Sequence, residues 1–109
     1  MLARINRLTK KADFEKVKAE GRFVTSKLFS MSTLDRKDGR PSRFGFVVSK
    51  KVSNKAYVRN KLKRIMREVV KKYMVEMKSG MDVVVIAKSG GIQGIRGTME
   101  AELKNILDI

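Results

Sequence analysis

Arg59, Lys63 and Arg67 recur at i, i+4 and i+8 in the run from Tyr57 to Met77, YVRNKLKRIMREVVKKYMVEM, a spacing that predicts one helix. Asn60, Arg64 and Lys71 carry the same flank around the back of that helix, with Lys61 beside them. Like charges at i, i+4 repel by about 0.2–0.5 kcal/mol per pair. The first carboxylate in the run is Glu68, so helix stability alone does not account for the pattern. Cations left without an internal anion suit an external one. From Arg59 to Arg67 the helix rises about 12 Å, the span of a few backbone phosphates. Between Gly39 and Arg67 lie ten Lys and Arg residues and no Asp or Glu, so two thirds of the net charge of +15 sits in about a quarter of the chain. A merely solvated surface mixes both signs.

The residue types that are missing narrow the chemistry further. There is no histidine, which excludes imidazole acid–base catalysis and the usual zinc ligand sets, and no cysteine, which excludes disulfides and thiolate sites. Asp35, Asp38 and Asp82 are the only candidate ligands for a hard metal outside the Glu-bearing helices, and they are scattered along the chain. Two-metal hydrolysis needs carboxylates converging on ions about 3.5–4 Å apart, so a nuclease working through this chain alone is disfavoured. A chain of 109 residues with 42% hydrophobic content can bury a modest core as one domain. No apolar run approaches the roughly 18 residues of a membrane span, and the first residues are polar and basic rather than signal-like. A cytoplasmic protein without a membrane partner is expected.

These side chains need elements to position them. In the central helix Val58, Leu62, Ile65, Met66, Val69, Tyr73 and Met77 form the apolar stripe. Thr9 to Gly21 predicts a short helix with Thr9 as cap and Gly21 as stop, on which Phe14 and Val17 share a face. Phe14 is either a core anchor or an aromatic free to stack on a base. Leu28 to Leu34 alternates as a half-buried strand, and Arg43 to Lys50 repeats the pattern with Phe44, Phe46 and Val48 on one face. The turn Asp35 to Pro41 between them suggests an antiparallel hairpin. Met81 to Lys88, MDVVVIAK, predicts an interior strand covered on both faces. A short strand is expected around Gly21 to Thr25. Ser89 to Gly97 is glycine-rich but matches neither phosphate-loop pattern, and Thr98 to Leu107 predicts a closing helix. The order α-β-β-α-β-α implies an α+β fold, a small sheet covered by helices.

The stretch FGFVVSKKVSNKAYVRNKLKRIMREVVKKY resembles the signature of the bacterial ribonuclease P protein family, a strand ending in S-K-K followed by an R-N-x-x-K-R-x-x-R-E helix. The residues that carry it are Ser49, Lys50, Lys51, Arg59, Asn60, Lys63, Arg64, Arg67 and Glu68; L-T-K-K-A-D-F, Gly21 and the D-V-V-V-I-A strand from Asp82 extend it over nearly the whole chain. The resemblance implies a two-layer α/β sandwich with a small mixed sheet and a left-handed βαβ crossover, an arrangement shared with a domain of a small-subunit ribosomal protein. It implies a subunit that binds ribonuclease P RNA and the 5′ leader of precursor tRNA, in a 1:1 protein–RNA complex. Catalysis and its Mg2+ then belong to the RNA, and the protein holds no cofactor of its own. Lys50, Lys51, Arg59, Asn60, Lys61, Lys63, Arg64 and Arg67 map to the RNA face, although Asn60 stands equally as a cap of the helix. Phe14, Val17, Lys18, Ser30 and Ser32 map to the leader cleft, where Lys18 replaces a second aromatic and the two serines replace larger groups. Ser53 replaces a glycine. A ribosomal or RNA-chaperone-like module shares the charge and size but does not require the S-K-K strand beside that helix.

Overall fold

Val83, Val84, Val85 and Ile86 form an unbroken β-branched run, stable as a strand only with neighbours at both edges and layers on both faces. The computed structural model, which describes residues 3–25, 29–76, 79–88 and 101, gives it both. The elements are α1 (Lys11–Glu20), β1 (Arg22–Thr25), β2 (Phe29–Asp35), β3 (Arg43–Val47), α2 (Ala56–Tyr73) and β4 (Met81–Ala87), with a 3₁₀ turn at Arg4–Asn6 and another at Met74–Glu76. The sheet runs β1-β2-β4-β3, antiparallel at β1–β2 and β2–β4 and parallel at β3–β4. It is a small mixed sheet in an α+β fold, as expected.

The expected hairpin of residues 28–34 with residues 43–50 does not form. β4 enters between the two strands, and the true hairpin is β1–β2. The reason lies at the mouth of β4. Asp82 is buried there and accepts from Arg36, just past β2, and from Arg43, at the start of β3, on its two sides. A parallel β3–β4 pair also requires a crossover of a dozen or more residues, and α2 supplies it.

The two faces of β4 separate the core. Val83, Val85 and Ala87 meet Phe29, Met31, Phe44, Phe46 and Val48 beneath α2, which contributes Leu62, Met66, Val69 and Val70. Each such side chain, fully buried, stabilises by about 1.5–3 kcal/mol before entropy is counted. The stripe is wider than the sequence pattern suggests. Val70 is completely buried while Val58 is only half-buried, and Met77 lies outside the described residues. On the other face Val84 packs with Leu8 and Val17, so α1 adds a partial layer opposite α2. The basic lead-in is not loose: Leu8 N–H donates to Phe44 O (2.9 Å) and Asn6 Nδ2 to Ser42 O (2.8 Å), covering the β3 edge.

Thr9 does not cap α1. The cap position is Lys10, without a side-chain bond. Gly21 does stop the helix, and it is required for a second reason: a Cβ there would lie 2.3 Å from Val17 O and 2.6 Å from Thr33 O, two backbone atoms with nowhere to go. The glycine-rich segment 89–97 and the closing helix 98–107 lie outside the described residues, apart from helical Ala101. No helix among the described residues is long and apolar enough to cross a membrane.

Candidate nucleic-acid interface

With Leu62, Met66, Val69 and Val70 pinned to the sheet, the 100° step of the helix turns Asn60, Lys61 and Arg64 to solvent and leaves Arg59, Lys63 and Arg67 half-buried along one side. Among the described residues, no ion pair holds Lys50, Lys51, Lys61, Lys63, Arg64 or Arg67, whereas Lys11, Arg36 and Arg43 are each paired with a carboxylate. Asn60, Arg64, Arg67 and Glu68 border a shallow recess of about 360 Å³ in this face. Lys50 and Lys51 are exposed in the loop before the helix.

Two residues there do other work than expected. Asn60 does not cap the helix, because Lys55 occupies that position and Asn60 lies in the second turn. Arg59 fixes the start of the helix instead, donating from Nη1 to Ser53 O (2.9 Å). Ser53 accepts from Lys55 N–H (3.2 Å) and closes the turn with its own hydroxyl. Tyr57, which pattern reasoning passed over, is an exposed ring among these cations, with the Lys55 ammonium 5.9 Å from its centroid.

The second feature is a cleft between α1 and the sheet, a cavity of about 490 Å³. Phe14, Glu15 and Lys18 line it from α1, Phe23 and Ser32 from β1 and β2, and Val47, Val84 and Ile86 from β3 and β4. Strand register explains its shape. Phe23, Ser32, Val84 and Gly45 are cross-strand partners in one row, so their side chains share the face under α1. Gly45 seats the Phe14 ring: a Cβ there would lie 2.4 Å from Phe14 Cζ and 2.5 Å from Cε1. Phe14 is therefore both of the things its sequence context allowed, half-buried against the sheet and half offered to the cavity.

Phe14, Lys18 and Ser32 thus come together as expected, and two residues expected with them do not. Val17 is fully buried beneath α1, and Ser30 is buried with its Oγ 3.1 Å from Thr25 Oγ1, so both support the cleft without lining it. Phe23, Glu15, Val47, Val84 and Ile86 were missed. The strand residues could be found only from the sheet order, which local alternation does not contain.

A third cluster holds the far end of the sheet. Asp82 accepts from Arg43 Nε (2.8 Å) and Nη2 (2.7 Å) and from Arg36 Nη1; Arg43 also reaches Asp13 (3.3 Å), and Arg36 pairs with Asp38. The hydrogen-bonded Asp82 carboxylate raises the Arg43 pKa above its ordinary value; burial opposes this, and the charges of Asp82, Asp13 and Asp38 reinforce it. Asp38 is lowered, chiefly by the Arg40 N–H donated to it, with desolvation opposing and Arg36 assisting. The aspartates considered as metal ligands are thus engaged otherwise: Asp82 and Asp38 meet guanidinium groups, and Asp35 accepts from Lys37 N–H. Among the described residues no three acidic side chains converge on a metal position.

Known proteins share this sequence and fold. A ribonuclease P protein component of Gluconacetobacter diazotrophicus is 43% identical over 93 residues, 83% of this chain and 78% of that protein. One from Microcystis aeruginosa is 38% identical over 109 residues, 97% of this chain and 91% of that protein. Among solved structures, the ribonuclease P protein of Staphylococcus aureus superposes with a TM-score of 0.87 at 30% identity, covering 94% of this chain and 93% of that one. That of Thermotoga maritima gives 0.83 at 30% identity, covering 93% and 94%. The family model for ribonuclease P matches residues 2–109, and with the strand that runs into the S-K-K turn, the basic helix and the α1 cleft in place, the chain belongs to the ribonuclease P protein family.

Proposed function

We propose that this chain binds ribonuclease P RNA through the cationic face of α2 and the Lys50–Lys51 loop, and binds the 5′ leader of precursor tRNA in the α1 cleft. The observation that carries the proposal is the group Lys61, Lys63, Arg64 and Arg67 on α2, which no ion pair engages among the described residues. Guanidinium forks at Arg64 and Arg67 match phosphate geometry, and Lys63 adds a point charge beside them. The cleft differs in chemistry: its floor of Val47, Val84 and Ile86 is apolar, which suits bases, and Lys18 at the mouth suits the backbone that joins them. Bond cleavage and the magnesium ions it uses are assigned to the RNA subunit, since this chain has no histidine or cysteine and, among the described residues, Asp35, Asp38 and Asp82 are engaged by arginines and by backbone N–H groups. The protein's part is to hold and orient the substrate, which lowers the magnesium needed to keep two polyanions together. In the cytoplasm, one copy per RNA would suffice.

The test is cleavage of precursor tRNA by the cognate RNA subunit at low magnesium, with and without the protein. Faster removal of the leader with the protein supports the proposal. Equal rates, with both RNAs folded, would overturn it.

A further inference from the structure

We propose that Phe23, on edge strand β1, is the second stacking surface of the α1 cleft, so that leader bases lie between Phe23 and Phe14. The inference rests on the leader reading above and adds a residue that neither helix carries. Phe23 is 61% exposed and its ring borders the cavity that Phe14 also borders. The register row Phe23–Ser32–Val84–Gly45 crosses all four strands, with Phe23 at one end and the Phe14 ring seated over Gly45 at the other. Three strand spacings of about 4.8 Å separate those ends by roughly 14 Å. Between them stand only Ser32 and Val84, both short, so the floor is low where the two ends carry rings. A planar base can enter there and reach van der Waals contact with a ring face at about 3.5–4 Å.

Charge sets which end of a nucleotide goes in. Both charged residues lining the cavity, Glu15 and Lys18, come from α1 and are exposed at its mouth, whereas the strand residues that line it are uncharged. A phosphate therefore stays outside near Lys18, and Glu15 disfavours a second one beside it. The base is left to occupy the apolar interior.

The experiment measures equilibrium binding of precursor and mature tRNA to the reconstituted holoenzyme carrying wild-type protein, Phe23→Ala, Phe23→Leu or Phe23→Tyr. Loss of one base–aromatic stack weakens binding by about tenfold. Phe23→Ala and Phe23→Leu are expected to lose that factor for precursor tRNA alone, Phe23→Tyr to retain it, and a leader with abasic positions to bind all four proteins alike. Because the ring is exposed, these variants fold; their melting temperatures check this. Wild-type-like precursor binding by Phe23→Ala, or an equal loss for mature tRNA, overturns the role of Phe23 and leaves the leader reading standing. A wild-type holoenzyme that does not prefer precursor to mature tRNA overturns both.

Discussion

Gly45→Ala tests how the sheet shapes the cleft. An added methyl would stand 2.4 Å from Phe14 Cζ and 2.5 Å from Cε1, with Leu8 Cβ at 3.4 Å behind it. Carbon atoms settle at about 3.5–4.0 Å, so the ring edge has to retreat by roughly 1 Å or more. The obstructing atoms are the far end of a side chain, not backbone, so the fold survives; overpacking of this kind costs about 1–3 kcal/mol. The ring has one open direction, into the cavity it lines, and there it competes with the ligand. Urea unfolding measures the stability loss, and binding of precursor and mature tRNA to the holoenzyme measures the functional one. Precursor affinity should fall by about tenfold while mature tRNA affinity holds. A double-mutant cycle then isolates the mechanism: in a Phe14→Ala background Gly45→Ala should cost less than about 0.5 kcal/mol in either assay. Equal losses in both backgrounds would refute the claim that Gly45 acts through the Phe14 ring.

Asp82→Asn removes the charge that Arg36 and Arg43 share and should destabilise by about 1–3 kcal/mol in urea unfolding, since the two part-buried guanidinium groups lose their common anion and keep only Asp38 and Asp13; a loss under about 0.5 kcal/mol would show the cluster to be ornamental. Gly21→Ala should prevent the α1–β1 corner from closing and lower the melting temperature by more than about 10 °C, because the atoms nearest its Cβ, Val17 O, Thr33 O and Thr33 C, are all backbone. RNA affinity should be flat from pH 6 to 8, as no histidine or cysteine is present to change charge there; a step in a binding titration across that range would contradict this. Stability in acid depends on Asp38. Its folded pKa is lowered from 3.8, so its contribution is complete above the unfolded value and disappears as the pH falls through the folded one, and Asp38→Asn should flatten stability against pH only below about 4.

The two interfaces differed in how far they could be read from sequence. The helix was legible because its evidence is local: residues 59, 63 and 67 share a flank whatever the rest of the chain does, and among the described residues Lys63, Arg64 and Arg67 are in no ion pair. Local evidence misled at 28–50, where two alternating strands and a turn read as a hairpin. The competing term was long-range, a double-sided apolar strand that had to be central and a buried Asp82 that draws arginines from both neighbours. The cleft inherited that error. Phe14 and Lys18 sit on one helix and could be placed together, but Phe23 meets them only through the β1–β2–β4–β3 register. Ser30 and Ser32 look equivalent in the sequence and are about equally buried, yet Ser30 bonds to Thr25 while Ser32 lines the cavity. Arg59 carried a structural task, the bond to Ser53 O, that its place in the cationic row concealed.

The most direct measurement is therefore a salt series on binding of the cognate RNA subunit, comparing wild-type protein with Lys63→Ala, Arg64→Ala and Arg67→Ala, and omitting Arg59 because of that bond. Each phosphate neutralised contributes roughly 0.7–0.9 to the slope of log affinity against log salt. The account predicts that each substitution reduces the slope by about that amount while melting temperatures stay within a few degrees, since none of the three cations is in an ion pair among the described residues. Slopes identical to wild type in all three variants would contradict it.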